Sequence, residues 1–109
     1  MKKYLCCIGF VFLMSGYVKA ATVKLAWEAA PIGDPRTAVI VKRQASCTGP
    51  FIALASIPTP GTTFNDTTVA LNNAYCWYAT EKYPDGSEGG PSNTVRATCK
   101  KVKNRIVCS

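Results

Sequence analysis

Few side chains in this 109-residue chain have the type and spacing to do chemistry. The absence of histidine excludes a Ser-His-Asp triad, a His general base and any His-ligated metal. Asp34, Asp66, Asp85 and Glu88 fall in turn- or loop-like stretches, where such residues commonly shape turns. A paired-carboxylate hydrolase needs two of them across a cleft, and nothing in their spacing marks a pair. Six cysteines include no CxxC, so zinc is not expected, and no metal or other cofactor is called for. That leaves the cysteines as cross-links and a cluster of cations, Lys100, Lys101, Lys103 and Arg105, as the sharpest functional feature.

The N-terminus bears on the cysteine count. Met1-Lys2-Lys3 is followed by an apolar run from Leu5 to Met14 and then by Ser15-Gly16 and Val18-Lys19-Ala20. Basic, apolar and small-residue zones in that order are the pattern of a secretory signal, and residues 1–20 are expected to be one, cut after Ala20. The apolar run is well short of the ~20 residues that span a bilayer. Cys6 and Cys7 lie at the start of the run, where a lipid-attachment cysteine does not. Cys47, Cys76, Cys99 and Cys108 remain, an even number in a small exported chain, which reads as two disulfides. A secreted or periplasmic location follows.

The formal charge of the whole chain is +7. Between Ala21 and Thr98 six basic and six acidic residues balance, so beyond the signal the surplus sits in Cys99 to Ser109. A partner attracted by net charge is therefore expected to meet that segment. It contains no aromatic residue on which bases could stack, and export removes the chain from most nucleic acid, so nucleic acid is not the expected partner.

The pattern along residues 21–98 has a period of two. Val23, Leu25 and Trp27 alternate with polar or small residues. Val39 and Val41 are expected to face inward, with Ile40 and Lys42 outward. Phe51 to Ile57 is an apolar run and Thr62 to Asn65 a short strand. Tyr75, Trp77 and Ala79 share a face, leaving Tyr78 outward, and Ser92 to Thr98 closes the series. Tyr83 is expected in the following loop as a second surface aromatic. Pro31-Ile32-Gly33, Pro58-Thr59-Pro60-Gly61 and Pro84-Asp85-Gly86 punctuate the runs. With no helical period over three turns, an all-β antiparallel sandwich or barrel is expected.

Several pieces in this order resemble a fibronectin type III domain. They are Val23-x-Leu25-x-Trp27, Val39-x-Val41-x-Arg43, Phe64-x-Asp66, Val69 ahead of Tyr75-x-Trp77-x-Ala79, and Asp85-Gly86-Ser87-Glu88 through Pro91-Ser92-Asn93-Thr94-Val95. The resemblance covers about residues 21–98 and implies an immunoglobulin-like β-sandwich with strands B, C, C′, E, F and G. Trp27 would be the core tryptophan, and Tyr75 the corner tyrosine, its hydroxyl bonded to nearby backbone. The departure is at the start, since a cut after Ala20 leaves only Ala21 and Thr22 ahead of strand B. Strand A would then be lacking or replaced, and a lacking strand leaves an edge open to strand addition.

In that topology strands C and F are antiparallel neighbours, so Cys47, past the end of C, is expected to bond Cys76 near the start of F. Cys99 is a rival partner for Cys76. The preferred second pair is Cys99–Cys108, closing residues 99–109 into a small hairpin. The expected function is a non-enzymatic exported binding or adhesion module that recognises a protein or a glycan. Its site would be the loops or an outward face including Ile40 and Tyr78. The second reading makes the sandwich a scaffold, attached to an anionic envelope or matrix surface through Lys100, Lys101, Lys103 and Arg105.

Overall fold

The computed structural model describes residues 11–14, 21–30 and 32–109. Among the described residues eight strands form two antiparallel sheets: β1 (Val11–Met14), β2 (Val23–Ala26), β3 (Ala38–Ala45), β4 (Ile52–Pro58), β5 (Thr63–Asp66), β6 (Ala74–Lys82), β7 (Val95–Val102) and β8 (Arg105–Cys108). One sheet runs β1-β2-β5 and the other β4-β3-β6-β7-β8. Among the described residues there is no helix, and so none long and apolar enough to cross a membrane.

The core follows from strand alternation. Val23, Leu25 and Trp27 from the three-stranded sheet meet Val39, Val41, Tyr75, Trp77, Ala79 and Ala97 from the five-stranded one. Side chains on alternate positions share one face of a strand, so each strand contributes every second residue. Trp27 is buried and its indole N–H donates to the Gly61 carbonyl (3.2 Å). Tyr75 is buried with its hydroxyl accepting from the Ala70 amide (3.0 Å), which pins the corner before β6. Removing a fully buried side chain such as Leu25 by Leu25→Ala is expected to cost about 2–5 kcal/mol.

Most of residues 1–20 lies outside the described residues, and with it most of the expected signal segment. The exception is β1, which pairs antiparallel with β2 from Val11↔Ala26 to Met14↔Val23. It takes the edge at which strand A was expected to be lacking or replaced. A cut after Ala20 would remove β1 and leave β2 at that edge.

Residues 99–109 are not a free tail. β7 runs through Cys99 without a break: its first half pairs with β6 and its second half with β8. Thr98 and Ser109 exchange backbone hydrogen bonds, and Cys99 faces Cys108 at the next, non-hydrogen-bonded position, where side chains approach closely. Cys99, Ile106 and Cys108 are buried in the core, with Cys108 Sγ against the Thr22 carbonyl (3.7 Å). The hairpin therefore closes the sandwich end near the start of β2.

Candidate functional site

Two disulfides fix the five-stranded sheet. Cys47–Cys76 joins the turn after β3 to β6, and Cys99–Cys108 closes the β7–β8 hairpin. Cys47 reaches β6 because Ser46 and Cys47 both take left-handed backbone (φ 55° and 52°), rare for residues with a side chain. The Ser46 amide bonds the Ala74 carbonyl, and Gln44 Nε2 donates to the Gly49 carbonyl (2.6 Å), holding that turn in place.

The outward face of this sheet carries the candidate site. Lys42 of β3 lies opposite Tyr78 of β6, and Ile40 opposite Thr80. The Tyr78 ring packs against Phe51 with centroids 4.4 Å apart and planes tilted by 59°. Lys42 Nζ stands 5.9 Å from the Tyr78 ring centre and 2.9 Å from Glu88 Oε1, which also accepts from Thr80 Oγ1 (2.7 Å). The bonds from Lys42 and Thr80, aided by the Lys42 and Lys82 charges, outweigh partial burial and hold the Glu88 carboxyl below its ordinary pKa. Ile40, Phe51 and Tyr78 are half-buried, so the face offers an apolar and aromatic patch beside one closed ion pair.

Strand parity divides the cations. Arg96 and Lys100 alternate with buried Ala97 and Cys99, and Arg105 shares the outward side through its pairing with Val102. Lys101 pairs with buried Ile106 and lies on the opposite side, while Lys103 forms the hairpin turn with φ 55°. Arg96, Lys100, Lys101, Lys103 and Arg105 are exposed and have no carboxylate partner among the described residues. No Asp or Glu occurs between Gly89 and Ser109. The structure thus brings Lys100 and Arg105 onto the face that holds Ile40 and Tyr78, and adds Arg96, Phe51 and Glu88. Arg96 was countable in the sequence only as part of a neutral body, because its face depends on where β7 begins.

Two residues stand elsewhere than their sequence context implies. Tyr83 is no surface aromatic: it is 1% exposed, and its hydroxyl donates to Glu81 Oε1 (3.1 Å). Asp66 is no turn former in solvent: it ends β5 at 2% exposure. It accepts from Trp77 Nε1 (2.9 Å), Arg43 Nη1 (3.0 Å), and the Thr68 amide (2.9 Å) and hydroxyl (2.6 Å). Burial alone would raise the Asp66 pKa, but the Thr68 and Trp77 hydrogen bonds and the Arg43 charge together hold it below the ordinary 3.8. A carboxyl depressed by folding stabilises the fold above its unfolded pKa, and that stability is lost as pH falls through the folded value. Wild-type stability is therefore expected to decline below about pH 4. Asp66→Asn should flatten that decline, as read by denaturant midpoints across pH.

The other carboxylates singled out in the sequence are bonded locally. Asp34 accepts from the Arg36 amide, and Asp85 accepts from the Ser87 amide and hydroxyl. Among the described residues no group of His, Cys, Asp and Glu gathers to hold a metal ion.

No protein-family model matches the chain, and no curated protein matches its sequence. Solved structures do match. An Fn3-like protein from Clostridium thermocellum is 25% identical, with a TM-score of 0.61 over 83% of this chain and 91% of that one. An FN3 domain of human collagen XX is 15% identical, with a TM-score of 0.61 over 88% and 95%. Pectate lyase PelI from Erwinia chrysanthemi, solved with tetragalacturonic acid, is 17% identical, with a TM-score of 0.60; the match covers 81% of this chain and 28% of the lyase. The sheet orders, the core tryptophan, the corner tyrosine and these likenesses together make the chain a fibronectin type III-like domain.

Proposed function

We propose that the chain is a non-catalytic, extracytoplasmic binding module whose ligand is an anionic protein or glycan surface. The outward face of the five-stranded sheet is the binding surface. The observation that carries this reading is the placement of Arg96, Lys100 and Arg105, without a carboxylate partner among the described residues, on the same face as Ile40 and Tyr78. Cations held on a disulfide-closed hairpin lose less freedom on binding than cations on a loose tail. The half-buried aromatic and aliphatic patch supplies contact area beside them, and aromatic and Arg side chains are favoured at recognition surfaces. The fold fits such a role, since sandwiches of this kind carry many functions on their surfaces. The two disulfides and the three-zone N-terminus support an oxidising compartment.

The test is retention of partners from envelope and secreted fractions of the source cells by three proteins: wild type, Ile40→Ser/Tyr78→Ala, and Lys100→Glu/Arg105→Glu. Both variants are expected to lose at least about tenfold in affinity, as hot-spot and charge-reversal changes commonly do. Retention unchanged in both would remove the outward face from the account. Truncation at Thr98 is not a clean version of this experiment, because it cuts β7 and takes three buried residues from the core.

A further inference from the structure

The ends of the two sheets differ sharply in how they are protected. Edge strands present unpaired backbone groups, and proteins commonly guard them with charges, proline, bulges or short length. β8 carries Arg105 and is tied by Cys108 to Cys99. β5 has four residues and ends in the Asp66 cluster. β4 ends the five-stranded sheet with seven residues, Ile-Ala-Leu-Ala-Ser-Ile-Pro, and its one proline is terminal. It belongs to a stretch from Gln44 to Asn65 that holds no charged residue at all. Ile52 is 65% exposed, Ala53 and Ser56 are exposed, and Leu54, Ile57 and Phe64 are only partly covered by the core. The register shift opposite Val41 and Lys42 is the one guard on this strand.

We infer that β4 is a self-association edge: two copies of this chain pair β4 with β4, antiparallel, and join their five-stranded sheets into one. A second copy is the occupant favoured by charge and by symmetry. Beyond residue 20 the net charge is +4, all of it from residues 99–109, so copies repel one another most strongly at the β7–β8 edge. They approach with least repulsion at the opposite edge, where β4 belongs to the uncharged Gln44–Asn65 stretch. A two-fold axis through Ser56, in the part of β4 past the register shift, sets Ser56 opposite its own copy and Ala55 opposite Ile57. Small and apolar residues therefore meet one another, and no like charges are opposed. The outward face stays open in this arrangement, because Arg96, Lys100 and Arg105 stand at the far edge of the sheet. A dimer would present two such faces side by side.

The test is sedimentation over a concentration series at low and high salt, on protein purified after expression of the whole reading frame. Wild type is expected to self-associate, more tightly at high salt, where the repulsion between positive copies is screened. This is opposite in sign to the salt response of anion binding, so failure of one reading is distinguishable from failure of the other. Ser56→Lys and Ser56→Glu are expected to weaken association at least about tenfold each, since either sign opposes itself across the axis. Both should leave the circular-dichroism spectrum unchanged, and the melting temperature unchanged at concentrations where wild type is monomeric, because Ser56 is exposed. Lys100→Glu/Arg105→Glu should associate at least as well as wild type. Monomer throughout the series, or wild-type association in both Ser56 variants, would overturn the inference.

Discussion

Arg36→Ala is expected to destabilise the fold by about 3–5 kcal/mol, because it strands a buried charge. Arg36 Nη1 and Glu81 Oε2 lie 2.9 Å apart, with side chains only 1% and 2% exposed. Arg36 Nη2 also donates to the Glu28 carbonyl (2.8 Å), and Tyr83 donates to the other Glu81 oxygen. This pair joins the segment entering β3 to the end of β6, with the Gly89 amide bonded to the Glu81 carbonyl beside it. Glu81→Ala should cost a similar amount for the converse reason. Arg36→Ala/Glu81→Ala should cost clearly less than the sum, since removing both charges leaves none unpaired. Urea midpoints of the four proteins read the cycle. Strict additivity would mean that the two groups do not stabilise each other.

The second large effect is expected from Cys47→Ser/Cys76→Ser. The bridge spans a sequence separation of 29. In the chain-entropy model a loop of that size contributes about 3.6 kcal/mol. The nine-residue separation of Cys99–Cys108 corresponds to about 2.6 kcal/mol in the same model. The native turn adds to the difference. Ser46 and Cys47 stand in left-handed backbone, a conformation that the unbridged chain has less reason to keep. Denaturant unfolding of the two double-serine variants should rank Cys47/Cys76 as the costlier loss. The opposite ranking would place the main constraint in the hairpin. The reduced hairpin also loses its lock beside Ile106, so proteolysis between Lys100 and Arg105 should quicken in Cys99→Ser/Cys108→Ser.

Much of the fold was legible in the sequence because its strands are half-buried. A period of two assigns Val23, Leu25 and Trp27, Val39 and Val41, and Tyr75, Trp77 and Ala79 to one side, and all are buried. The cysteine pairing was reachable once strands C and F were taken as neighbours, because neighbourhood in a sheet fixes which ends meet. What stayed hidden depends on three-dimensional placement of charge. Asp66 and Glu81 look like ordinary carboxylates in sequence, and only the sandwich shows that Arg43 with Trp77, and Arg36 with Tyr83, close around them. The basic cluster was visible, yet its division between two sides of a hairpin follows from where β7 starts and where it turns. Arg96 joins Lys100 for that reason, and Lys101 does not. The strand at Val11–Met14 was read as part of a signal segment, since an apolar run of that composition satisfies both patterns.

Retention on an immobilised polyanionic glycan reads directly whether the cations of β7 and β8 form the binding face. Three proteins are compared as salt is raised: wild type, Lys100→Glu and Lys24→Glu. The two variants have the same net charge and differ only in where it sits, since Lys24 is an exposed residue of β2, on the other sheet. Wild type and Lys24→Glu are expected to be held until similar salt, while Lys100→Glu elutes early. Equal losses in both variants, or none in either, would contradict a binding face built on β7 and β8.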